Sequence, residues 1–105
     1  MTNARIVLTT AGSKEDAAKI AHALVERRLA ACVNIVPQIE SVYRWQDKVE
    51  TAQEWLLLIK TQTDLYKRVC DAVKELHSYD LPECVMLEVS AGSQQYLEWI
   101  AENTG

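Results

Sequence analysis

Glycine is scarce in this 105-residue chain, with three residues in all, so a glycine-rich phosphate loop has nothing to be built from. Phenylalanine is absent and the net charge is −4, which excludes an RNA-recognition sheet with aromatic stacking residues on a basic surface. Lysine and arginine do not cluster: the densest spots, Arg27-Arg28 and Lys67-Arg68, read as solvated helix faces. No nucleic-acid partner is expected, because a basic patch supplies most of such affinity. No apolar run approaches the ~20 residues of a membrane-crossing helix. The opening MTNARIVLTT lacks the basic-then-apolar layout of a signal peptide. No membrane partner is expected, and the expected location is cytoplasmic. The three cysteines, Cys32, Cys70 and Cys84, include no Cys-x-x-Cys and fit reduced core thiols better than a disulfide framework or a zinc site.

Catalytic signatures are missing as well. There is no Gly-x-Ser-x-Gly elbow and no His-Glu-x-x-His. A nucleophile needs a base and an orienting group beside it, and neither His22 nor His77 has an adjacent Ser or Cys. Ala11-Gly12-Ser13-Lys14 is only a faint match to the anion loop of an acylphosphatase. The chain reads as a non-enzyme with no organic cofactor.

What is present is an ordinary soluble composition, 49% hydrophobic and 25% charged, in a length that suits a single domain over residues 1–105. The pattern predicts a strand over residues 4–10, then a helix capped by Ser13 with the stripe Ala17, Ile20, Ala21, Leu24 and Val25. Arg27 and Arg28 are expected in its last turns. A second strand covers residues 32–36, and Pro37, which cannot donate to a ladder, marks a bend or bulge. Pairing resumes near Ile39 and enters a hairpin whose polar turn lies near Gln46-Asp47-Lys48. The third strand runs over residues 49–60, a second helix starts from Thr63 as N-cap, a fourth strand covers residues 83–89, and a short helix carries Tyr96, Leu97 and Ile100. The order β-α-β-β-α-β plus a terminal helix is the α+β, ferredoxin-like arrangement of a four-stranded antiparallel sheet.

The third strand shows no apolar/polar alternation. Trp55, Leu57 and Ile59 point one way, Leu56 and Leu58 the other, and the fourth strand repeats this with Val85, Leu87 and Val89 opposite Cys84 and Met86. A helix-free sheet face that is also apolar implies cover by a second copy, so a homo-oligomer is expected. The arm over residues 49–60 would extend ~40 Å, longer than the body that carries it. Charge placed at Leu57 is expected to break this assembly.

Two polar groups stand out. In HSYDLPE, His77 either meets free carbonyls at a helix C-terminus or ligates a metal with Glu83, Cys84 or Asp80 nearby; histidine and thiolate together suit copper or zinc. Tyr79 and Leu81 flank that loop as anchors. Glu54 and Lys60 share a face of the third strand, either as an interfacial salt bridge or as the wall of a polar pocket between subunits. Tyr43 and Trp45 are hairpin anchors or ligand-stacking residues.

RLAACVNIVP, SVYRWQDKVE, EWLLLIKT, LHSYDLPE and YLEWI occur in order, and with their spacing the chain resembles the CutA family of divalent-cation tolerance proteins from about Ile6 to Ile100. The resemblance implies a ferredoxin-like, PII-like subunit, a tight cytosolic homotrimer sealed by the hairpin and sheet edges, and weak binding of Cu(II) or another divalent cation. Family members discussed as copper binders carry a Cys at the end of the first strand and two adjacent His before the Tyr loop. The matching positions here are Thr9, Leu76 and His77, of which only His77 keeps the ligand type. Asp47 stands where the family's hairpin turn often has Gly. The metal set expected is His77, Cys84 and Glu83. The alternative, by analogy with PII proteins, is a sensor of a small molecule or an unknown downstream partner, with Tyr43, Trp45, Glu54, Lys60 and Tyr79 lining an inter-subunit cleft.

Overall fold

The computed structural model describes residues 2–105. Strand β1 (Ala4–Ala11) leads into helix α1 (Lys14–Glu26), followed by β2 (Cys32–Trp45) and β3 (Lys48–Gln62). A 3-10 turn (Thr63–Leu65) opens helix α2 (Tyr66–Leu76), then come β4 (Val85–Glu88) and α3 (Gln94–Glu102). The sheet order is β2-β3-β1-β4 with every neighbouring pair antiparallel, the ferredoxin-like topology.

Local chemistry sets the element ends. The Ser13 hydroxyl accepts the Asp16 backbone N–H at 3.1 Å, and Glu15 and Asp16 suit the positive end of α1. The helix ends at Glu26, so Arg27 and Arg28 lie beyond it rather than in its last turns. Arg28 takes the left-handed position usually held by glycine, with φ 58°. Around it the Arg28 N–H donates to the Val25 carbonyl and the Leu29 N–H to the Leu24 carbonyl. The strained conformation is held by the Arg28 side chain, which donates to the Glu102 and Gly105 carbonyls at 2.8 and 2.9 Å and ties down the end of α3. Val25 is exposed, outside the buried stripe.

Thr63 does not cap α2. It opens the 3-10 turn and spends its hydroxyl on the Asn3 carbonyl, and α2 begins with no side-chain cap. β4 is shorter than its apolar run, four residues matched to Arg5–Leu8 of β1. Pro37 does mark a bulge: the β2–β3 register shifts between Val36 and Ile39, and Gln38 has φ 56°. At the hairpin tip Trp45 pairs with Lys48, and Gln46 and Asp47 both have positive φ, as a two-residue type I′ turn demands.

The core lies between one sheet face and helices α1 and α2. Val7, Ile20, Leu24, Leu57, Ile59, Val69 and Val73 are fully buried there. Leu57 therefore belongs to the core of its own chain, and charge there would strike folding before assembly. On the opposite face α3 covers only one end, where Ile100 is buried and Gln62 donates to Thr104 at 2.6 Å. Val85 and Leu87 of β4 and Val36 of β2 stay 40–48% exposed. β1 pairs with β3 only from Trp55 onward, so residues 48–54 have β2 as sole partner and form a free two-stranded arm. Val42 and Val49 on that arm are each 66% exposed, and the molecule measures 44 × 26 × 23 Å.

Candidate functional site at the hairpin base

The loop after α2 brings the densest polar network together. Its first member is His77, whose backbone N–H closes α2 on the Val73 carbonyl. Its ring Nε2 lies 2.6 Å from the Thr10 carbonyl, and its Nδ1 accepts the Tyr79 backbone N–H at 3.0 Å. A carbonyl can only accept and an N–H can only donate, so the ring is the neutral tautomer protonated at Nε2. Tyr79 then swings across the end of β1. Its ring lies 4.5 Å from that of His77, and its hydroxyl donates to Glu54 Oε2 at 2.8 Å. Gly12 makes room for this: a Cβ there would stand 2.9 Å from the Tyr79 hydroxyl oxygen. Thr10, His77, Tyr79 and Glu54 thus form one chain from the first strand through the loop to the base of the hairpin.

Glu54 is 8% exposed. Among the described residues its carboxylate forms no ion pair; the only two are Arg27–Glu75 and Lys67–Asp71, both on the surface. Burial, then the bond to Glu54, pushes the Tyr79 phenol up to about 12. Burial, then the Glu54 charge, also raises Glu83 above its usual range. Tyr43 reaches the same neighbourhood electrostatically. Of the residues expected to line a cleft, Glu54, Tyr79 and Tyr43 converge with Glu83.

Trp45 and Lys60 do not join them. Trp45 sits at the hairpin tip, 48% exposed. Lys60 lies six residues along β3 from Glu54, roughly 20 Å away, at the other end of the sheet. There its ammonium donates to Asn34 Oδ1 at 2.5 Å, lies 4.0 Å from the Cys32 sulfur and 5.8 Å from the centre of the Tyr96 ring.

The residues expected to hold a metal are likewise dispersed. Among the described residues no three His, Cys, Asp or Glu side chains converge as a ligand set. Both ring nitrogens of His77 are already engaged. The Cys84 thiol faces Cys70, and burial followed by that neighbour pushes it up to about 12, against the thiolate that a metal needs. Thr9 is fully buried on the helix-covered face, with its hydroxyl oxygen unpartnered among the described residues. His77, Glu83 and Cys84 therefore do not fit a preformed metal centre within one subunit. Sequence reasoning missed Gly12 and Cys70. Glycine scarcity was the available signal for the first, and nothing in the spacing of the cysteines announced the second.

A family description, CutA1 divalent ion tolerance protein, matches residues 5–103. The chain belongs to the CutA1 family. It is 53% identical over 100 residues to the divalent-cation tolerance protein CutA of Thermus thermophilus, covering 95% of this chain and 97% of that one. It is 44% identical to the chloroplastic CutA protein of Arabidopsis thaliana, covering 94% of this chain but 54% of that longer protein. The fold agrees equally well. The solved Thermus thermophilus structure superposes with a TM-score of 0.95 at 52% identity, covering 97% of this chain and 99% of that one. The CutA1 structure from Oryza sativa superposes at 0.96 with 42% identity, covering 99% and 95%. Ferredoxin-like topology with a long β2–β3 hairpin is thus the CutA1 architecture, and the His77–Tyr79–Glu54 network is this chain's furnishing of it.

Proposed function

We propose that this chain acts as a non-enzymatic divalent-cation tolerance protein, assembled as a homotrimer in the cytosol, and that its contact with copper is weak. Membership of the CutA1 family carries the tolerance reading. The exposed Val36, Val85 and Leu87 and the unsupported hairpin arm favour assembly, because apolar area of this kind is left open only where another surface closes it. Three chains related by a rotation axis close a ring in which one patch meets a different patch on the next copy. The cysteines, all free, suit a reducing compartment.

Weak binding follows from His77. A cation taking its Nδ1 must displace the Tyr79 N–H, and a buried donor left without a partner costs about 1–3 kcal/mol. That is a handicap of order tenfold to a hundredfold in affinity. Calorimetric titration of Cu(II) into wild type and His77→Ala tests the reading: weak binding that falls further in the variant is expected, and equal affinity would remove His77 from the account. A second reading, ligand sensing between subunits, is favoured by Glu54, a buried carboxylate with no cation of its own among the described residues. A thermal-shift screen that found no metabolite response would count against it.

A further inference from the structure

Cys84 has a partner that spacing along the chain did not suggest. Tyr66, Cys70 and Lys74 succeed one another at four-residue intervals on α2, and residues so spaced share one face of a helix. That face lies against the segment entering β4. The Tyr66 hydroxyl donates to the Cys84 carbonyl at 2.7 Å, which pins the segment to the helix. The Cys70 thiol then falls within hydrogen-bonding reach of both the Tyr66 phenol and the Cys84 thiol. Both thiols are free, both are half-buried, and Cys84 packs on the core beside Met86. Lys74, one turn further, brings its ammonium close enough to favour a thiolate at Cys84, while the neighbouring Glu83 acts the other way.

We infer that Cys70 and Cys84 form a two-thiol site for a soft monovalent cation, with Cu(I) as the fitting ion. Two sulfurs and no third ligand are too few for tetrahedral zinc, which takes four. Thiolate pairs select Cu(I) over hard cations, and two-coordinate binding is within the ordinary geometry of that ion. Each thiol gives up its proton on binding, so one Cu(I) releases two protons and leaves a bis-thiolate of net charge −1, beside the Lys74 ammonium. The step involves no change of oxidation state. The inference rests on the copper reading above but uses different residues: His77 takes no part, and its ring is committed to Thr10 and Tyr79.

The test is titration of the reduced full-length protein with Cu(I) held by a competing chelator, in wild type, Cys70→Ser, Cys84→Ser and Cys32→Ser. One copper per chain is expected in wild type and in Cys32→Ser. Either of the other variants should lose more than about 100-fold in affinity, beyond the 10–100-fold typical of an outer-shell change. Equal affinity in all four proteins, or loss only in Cys32→Ser, overturns the inference. Because a serine at either site could impair folding, wild type is also alkylated with and without Cu(I) and read by peptide mass. Protection of Cys70 and Cys84 together supports the site, and unprotected thiols at saturating copper refute it. If Cu(II) binding depends on His77 while Cu(I) ignores this thiol pair, the inference falls and the proposed function stands.

Discussion

Gly12→Ala isolates the network at the hairpin base. The added methyl would sit 2.9 Å from the Tyr79 hydroxyl oxygen and 3.2 Å from its Cε1, closer than carbon atoms tolerate. Tyr79 is 37% exposed and lies in a loop, so it yields rather than clashes. What is lost is its 2.8 Å bond to Glu54, a carboxylate only 8% exposed that then lacks this donor. Hydrogen bonds to charged groups contribute about 1.5–3 kcal/mol. Replacing glycine where the backbone permits returns about 0.4–1 kcal/mol through the unfolded chain. A net loss of about 1–2 kcal/mol is expected in urea unfolding at fixed protein concentration. Tyr79→Phe should lose a similar amount, and the double variant little more than either alone, because both remove the same bond. Additive losses, or an unchanged Gly12→Ala midpoint, would refute the idea that glycine is there to admit Tyr79.

Further outcomes follow from other parts of the structure. The Tyr79 phenol is held up to about 12, above its ordinary value of 10.0, so the folded state keeps that proton longer than the unfolded state. Its contribution to stability is complete below about pH 10 and is lost as pH rises towards 12; Tyr79→Phe should flatten that part of the stability profile, with Tyr66→Phe as control because Tyr66 is shifted the same way. Leu57→Asp should leave no folded chain on circular dichroism, since Leu57 is fully buried, whereas Leu87→Asp, at a 43% exposed position, should keep the fold and weaken assembly on size-exclusion chromatography. Arg28→Ala should cost about 1 kcal/mol in urea unfolding and raise amide exchange in α3, because two carbonyls at that helix end lose their donor. Arg28→Gly should lose the same tie but recover part of the cost by relieving the positive φ.

Features governed by neighbours in the chain were legible from the residues. Ser13 capping α1, the bulge at Pro37 and the turn at Gln46-Asp47 depend on contacts within a few residues, and each is where the pattern put it. Thr63 misled because a second candidate acceptor, the Asn3 carbonyl, arrives from β1 and captures its hydroxyl. The strand β3 was readable as apolar on both faces, but which face the helices cover depends on packing; Leu57 and Ile59 turned inward and left the Leu56–Leu58 face to the other side. The site was only half legible. Tyr79 and Glu54 were singled out separately, and their bond depends on Gly12, which no spacing rule connects to either. Glu54 and Lys60 looked paired because alternation puts them on one face, yet strand length keeps them apart. Cys70 and Cys84 meet only because Tyr66 fastens the β4 approach to α2.

The central claim is a tolerance protein finished by its own copies, and native mass spectrometry of the purified protein tests it most directly. The account predicts one species at three times the chain mass, with Leu87→Asp shifting population towards the single chain. A folded wild-type protein that stays monomeric across concentration, with Val85, Leu87 and the hairpin arm open to solvent, would contradict it.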